Sequence, residues 1–166
     1  MQDERDRLIA CIPRLRRYAR ALIGDRTGAD DLVQDTIERG WKKLSSWQRG
    51  SDMRAWLFGI MHNLHIDQVR RPVIVTDVLD DDTPLPAVVH TDSLEMRDLQ
   101  SALAALPAEQ REILLLVALE EMSYEEVAAT LGLPVGTVMS RLSRARQKLR
   151  AQMEGRAVVS TLKVVK

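Results

Sequence analysis

One stretch limits what this chain can be more than any other. Ser123-Tyr124-Glu125-Glu126 opens a segment in which Val127, Ala128 and Leu131 recur at helical spacing, and Gly132 follows. A Ser with a Glu three residues on is a capping box. Each side chain bonds the other residue's backbone N–H, satisfying two donors that a helix start leaves open. Leu133-Pro134-Val135-Gly136 then reads as a turn, and Val138, Leu142, Ala145 and Leu149 repeat at intervals of three and four. That repeat is an apolar stripe on a second helix, with Thr137 expected as its cap and Gln152 near its end. A short helix, a tight turn with Gly and a longer helix make a helix-turn-helix over Ser123–Arg150. The side facing away from the stripe carries Thr137, Ser140, Arg141, Arg144 and Lys148. The start of such a helix meets base edges in the major groove. There Arg pairs with guanine edges or phosphates, and Ser donates or accepts.

The remaining sequence is also helical in pattern. Leu8, Ile12, Leu15, Ala19 and Leu22 share one face, and Gly24 is the expected stop. Thr27, three residues before Asp30, is the expected cap of a helix carrying Val33, Ile37, Trp41 and Leu44. Ser45–Asp52 reads as a loop. Met53–Arg71 reads as a third helix, ended by Pro72. The pattern fails from Pro72 to Asp92, where three prolines and the acidic run Asp80-Asp81-Asp82 indicate a linker. Helical spacing returns at Ser93. Leu94, Leu99, Leu103 and Leu106 form one helix, and Ile113, Leu116 and Val117 mark another that begins just after Pro107. Scarce aromatics and few turn residues favour helices over a sandwich or barrel. The expected fold is all-α. Two small helical domains (1–71 and 93–154) are joined by a flexible linker (72–92), the second is a four-helix unit holding the helix-turn-helix, and an apolar-basic tail (155–166) frays or docks on a partner.

The net charge of zero conceals segregation. Lys42, Lys43, Arg49, Arg54, Arg70 and Arg71 crowd the end of the first domain. Arg141, Arg144, Arg146, Lys148 and Arg150 crowd the last helix, while the linker is acidic. Two basic patches in two helical domains suit a protein that touches DNA at two places. Cys11 is the only cysteine, so neither an intrachain disulfide nor a cysteine zinc site is expected. With a charged N-terminus and no long apolar run, the expectation is a cytoplasmic protein without membrane insertion.

These blocks carry a resemblance. Ser123–Ala128, Gly136-Thr137-Val138, Ser140-Arg141-Leu142 and Arg144-Ala145-Arg146 resemble the region 4 signature of bacterial sigma factors of the extracytoplasmic function group, within the sigma-70 family. Asp30-Asp31-Leu32-Val33-Gln34-Asp35 resembles their region 2 signature. So does Trp56-Leu57 with Ile60, Asn63, Asp67 and Arg70-Arg71. Leu103–Pro107 with Arg111 resembles the opening of region 4. Regions 1.1 and 3 of larger sigma factors have no counterpart.

The resemblance implies a dissociable subunit that binds the clamp helices and flap of core RNA polymerase. It would read the −10 and −35 promoter elements, assist −10 melting, need no cofactor or metal, and answer to an anti-sigma factor. Asp31, Gln34, Asp35 and Glu38 would grip the clamp helices. Trp47, Arg49, Asn63, Asp67, Arg70 and Arg71 would meet −10 DNA, with Trp47 as an aromatic wedge and Asn63 as a base reader. Thr137, Ser140, Arg141, Arg144 and Lys148 would meet −35 DNA. Met139 departs from the family, which often has a base there, so the −35 preference is not transferable. About twenty linker residues reach roughly 70 Å at about 3.3 Å each, some two turns of duplex.

Other readings of the same residues remain open at this level. The carboxylates around Asp31 could hold Mg²⁺ in a nuclease or face water. His62 and His65 could be half a metal site, although surface histidines near DNA fit better. Trp47 could be core, and Trp56 reads as core. A stand-alone repressor would use the same helix-turn-helix, but it leaves the Asp30–Asp35 block unexplained.

Overall fold

The computed structural model of the chain describes residues 1–70 and 93–164. Four helices, α1 (Gln2–Ala10), α2 (Ile12–Ile23), α3 (Arg26–Lys42) and α4 (Met53–Arg70), form the first domain. Four more, α5 (Ser93–Ala104), α6 (Ala108–Ala118), α7 (Tyr124–Leu131) and α8 (Val135–Val164), form the second. No strand occurs among the described residues. The all-α, two-domain expectation therefore holds, while Arg71 and the linker 72–92 lie outside the described residues.

Local chemistry places each boundary, in three cases differently from the sequence pattern. The stripe from Leu8 to Leu22 belongs to two helices, not one. Pro13 lacks an N–H and suits only the first turn of a helix, so a new helix begins beside it. Cys11 stays helical at the joint (φ −79°, ψ −15°), and Leu8, Leu15, Tyr18, Ala19 and Leu22 still share the buried side. Gly24 ends α2 at φ 78°, as expected. The cap of α3 is Asp25, not Thr27. Its carboxylate accepts from the N–H groups of Thr27 at 3.3 Å and Gly28 at 2.9 Å, and Asp ranks above Thr as a cap. Helix α8 starts at Val135 and runs to Val164, so Thr137 lies inside its first turn, not at its cap. Gly155 does not break it, since one interior glycine costs only about 1 kcal/mol.

The two domains close on one another. Helix α4 lies against α7, and α2 lies against α5 and α6. One continuous apolar cluster contains Leu15, Tyr18, Leu57 and Phe58 from the first domain with Ile113, Leu116, Val127 and Leu142 from the second. Tyr18 meets Phe58 edge to face at 4.8 Å within it.

Candidate nucleic-acid interface

The helix-turn-helix is built as its residues dictate. Ser123 Oγ accepts from Glu126 N–H at 3.1 Å, and the Glu126 carboxylate accepts from Ser123 N–H at 2.9 Å. Gly132, at φ 67°, closes α7 in the left-handed conformation that favours glycine. Val127, Ala128 and Leu131 on α7, and Val138, Leu142 and Ala145 on α8, are buried. Burying that stripe turns the opposite surface of α8 outward. Ser140, Arg144 and Lys148 are exposed, whereas Thr137 and Arg141 are half-buried. Arg141 faces Glu109 at 3.7 Å. Arg146 and Arg150 are exposed as well and widen the basic surface. Residues 135–153 contain no acid, and Glu154 beyond them is the one carboxylate carried by α8. Met139 stands 51 % exposed beside Ser140.

In the first domain, α3 buries Leu32, Val33, Thr36 and Gly40 against its neighbours. A Cβ on Gly40 would come within 2.8 Å of the Leu57 side chain, so α3 and α4 approach closely there. This orientation leaves Asp31, Gln34, Asp35 and Glu38 together on the exposed face, with Glu38 paired to Lys42 at 3.0 Å. No group of three His, Cys, Asp or Glu side chains among the described residues is placed to hold a metal ion. Asn63, Asp67 and Arg70 are exposed on α4. Their spacing of four and three puts them on one face.

Two −10 candidates sit differently from the expectation. Trp47 is core, only 6 % exposed, with its indole nitrogen buried and without a hydrogen-bond partner among the described residues. In the tight turn Leu44–Ser46 Trp47 N–H donates to Leu44 O at 3.1 Å, and Leu44 and Trp47 are both buried. A surface wedge at Trp47 is therefore not what this conformation presents. Arg49 is exposed but paired to Glu4 at 2.6 Å. That hydrogen bond holds the Glu4 carboxyl below its ordinary range.

The seam between the domains brings together polar residues whose pairing the sequence pattern did not show. His62 on α4 meets the buried Glu112 on α6. Arg111 donates to Leu22 O of the first domain at 2.8 Å. Arg17 and Arg54 converge on Glu120.

Comparison with known proteins decides the family. Residues 8–62 match the Sigma2 domain of PhyR, and residues 96–149 match Sigma-70, region 4. The ECF RNA polymerase sigma factor EcfG of Rhodopseudomonas palustris is 42% identical over 150 residues, spanning 89% of this chain and 83% of that protein. This chain belongs to the ECF RNA polymerase sigma factors. The RNA polymerase sigma factor CnrH of Cupriavidus metallidurans is 34% identical over 154 residues, 84% of this sigma factor and 81% of that one. Among solved structures, the sigma factor RpoE in complex with the anti-sigma factor NepR from Bartonella quintana superposes with a TM-score of 0.76 at 36% identity, covering 93% of this chain and 98% of that one. CnrH in complex with the cytosolic domain of CnrY gives a TM-score of 0.64 at 29% identity, over 92% and 97%.

Proposed function

We propose that this sigma factor directs core RNA polymerase to its promoters through two separate DNA contacts, and that it performs no covalent chemistry. Residues 1–71 act as region 2, 72–92 as the linker, 93–154 as region 4 and 155–166 as a tail. The basic face of α8 over residues 135–153, set on a capped helix-turn-helix, carries the reading. Thr137, Ser140, Arg141, Arg144 and Lys148 meet the −35 element. Asn63, Asp67, Arg70 and Arg71 meet the −10 element, with Asn63 reading a flipped base. Arg49 joins them once released from Glu4. Asp31, Gln34, Asp35 and Glu38 accept charge-assisted hydrogen bonds from the clamp helices of the polymerase, and region 4 also meets the flap. The complexes solved for its relatives support an anti-sigma partner. No described helix is long and apolar enough to cross a membrane, which accords with action in the cytoplasm.

The division of labour is testable in reconstituted holoenzyme. Asn63→Ala should leave closed-complex binding intact and impair strand opening, read by permanganate reactivity of unpaired thymines. Arg144→Ala should weaken −35 binding and lower its salt slope by about 0.9, without changing affinity for core polymerase. Equal loss of binding and opening in the first variant, or a core-binding defect in the second, would contradict the assignment.

A second reading has one observation in its favour, since the first domain matches a profile named for PhyR. A solved PhyR is described as an anti-anti-sigma factor, so a sigma-like fold can serve as a decoy for an anti-sigma. A decoy needs no basic recognition surface, and α8 has one.

A further inference from the structure

A long apolar side chain stands on the surface of α8 among small and basic neighbours. Met139 is 51% exposed at the start of the second turn. On a helix, residues three and four positions apart share one side of the surface. Before Met139 these are Val135 and Gly136, and after it Leu142 and Ser143. Leu142 is buried, while Gly136 and Ser143 are short and exposed, so they leave the thioether uncovered. A Cβ on Gly136 would meet nothing within 4 Å, so the surface on that side is open. An isolated exposed methionine is ordinary on most protein surfaces. Here it occupies the N-terminal part of the second helix of a helix-turn-helix, the part that meets base edges.

Met139 also heads a ridge. Met139, Ser143, Arg146 and Arg150 follow one another at spacings of four, three and four along α8. Both arginines are exposed. At about 1.5 Å per residue, Arg146 lies roughly 10 Å beyond Met139 along the helix axis. The major groove is about 12 Å wide. With the N-terminal turns over the base edges, this ridge carries its guanidinium groups to the phosphates at the rim and its thioether to the groove floor. Among the four bases only thymine presents an apolar group there, its C5 methyl; the other edges offer hydrogen-bond donors and acceptors. Methionine is unbranched and polarisable, so it adapts to such a methyl group where a branched side chain would need a closer match of shape.

We propose that Met139 is a specificity-determining residue, which reads the C5 methyl of one thymine in the −35 element by apolar contact. The proposal rests on the −35 role given to α8. It assigns Met139 a contact of a different kind from those of the arginines on the same helix. Contacts to phosphate make binding fall with salt, whereas a thioether against a methyl group carries no charge and leaves the salt slope alone. Burial of one methyl group is worth about fourfold in affinity.

The test uses holoenzyme assembled from core polymerase and the full chain, as wild type and Met139→Ala. The position is exposed and alanine is the best helix former, so the exchange leaves α8 intact. A promoter found by mapping transcript starts is synthesised with each thymine of its −35 element, on either strand and one at a time, replaced by deoxyuridine. That base lacks only the methyl group. Wild type should lose about fourfold in affinity at one of these positions. Met139→Ala should bind the unmodified promoter about fourfold more weakly, with an unchanged salt slope, and should be indifferent to deoxyuridine at that position. A −35 element without an A·T pair, or a wild type indifferent to every deoxyuridine, would overturn the proposal. So would a Met139→Ala holoenzyme as sensitive as wild type at each position, or one whose salt slope falls as it does when a phosphate contact is lost. Absence of promoter-specific starts would instead sink the sigma reading on which the proposal rests.

Discussion

Replacing Arg111 by lysine tests how the second domain is tied together. The guanidinium reaches four backbone carbonyls. Nε donates to Leu103 O at 2.8 Å, and Nη2 donates to Ala104 O at 3.0 Å and Leu106 O at 2.8 Å. Nη1 donates to Leu22 O at 2.8 Å. Leu103 and Ala104 lie in the last turn of α5 and Leu22 near the end of α2, where carbonyls lack an intrahelical partner. Burial lowers the Arg111 pKa, yet the group remains charged, because arginine does not lose its proton in proteins. A lysine keeps the charge but not the planar fork, and one ammonium satisfies at most two of these scattered acceptors. Hydrogen bonds to a charged donor contribute about 1.5–3 kcal/mol each. Water can repair part of the loss at this half-buried position, so the net cost should be about 2 kcal/mol. For a chain of this size that lowers Tm by about 4–8 °C, followed by circular dichroism, and Arg111→Met should cost at least as much. An Arg111→Lys protein melting within about 1 °C of wild type would refute the claim that the fork joins α5, α6 and α2.

Ser123→Ala removes one half of the capping box and should cost about 1 kcal/mol, with faster amide exchange concentrated in α7; unchanged exchange there would show the box to be idle. His65 gives a pH prediction. Both ring nitrogens are buried without a hydrogen-bond partner among the described residues. Burial first, then the positive fields of His62 and Arg111, lowers its pKa against the opposing pull of Glu112. A base with a lowered folded pKa gives stability that is present above its unfolded value, about 6.5, and lost as pH falls towards the folded value. His65→Leu should therefore flatten the decline of the urea midpoint below about pH 6.5, and an unchanged slope would assign that decline to other groups.

What was legible in the sequence was whatever depended on near neighbours. The capping box, the glycine at 132 and the stripe from Val138 to Leu149 act over a few residues, so α7 and the existence of α8 follow directly, although α8 starts before Thr137 and runs on to Val164. The same is true of the helix after Pro107 and of the exposed quartet Asp31, Gln34, Asp35 and Glu38. Misplaced boundaries arose where a stronger local signal lay beside the one used. Pro13 overrode a continuous apolar stripe, and Asp25 displaced Thr27 as the cap. Trp47 shows a different limit, because an aromatic in a polar loop reads equally as wedge or as core until the turn at Leu44–Ser46 is known. The seam was not legible at all. Arg17 and Arg54 lie 103 and 66 residues from Glu120, and no periodicity links positions that far apart.

The central claim is that this chain selects promoters for core RNA polymerase. It is tested most directly by adding the purified chain to core polymerase with a genomic promoter library and mapping transcript starts. The account predicts starts at a small set of sites sharing spaced −35 and −10 elements, reduced when Asn63 or Arg144 is replaced by alanine. Initiation no more selective than that of core polymerase alone would contradict it.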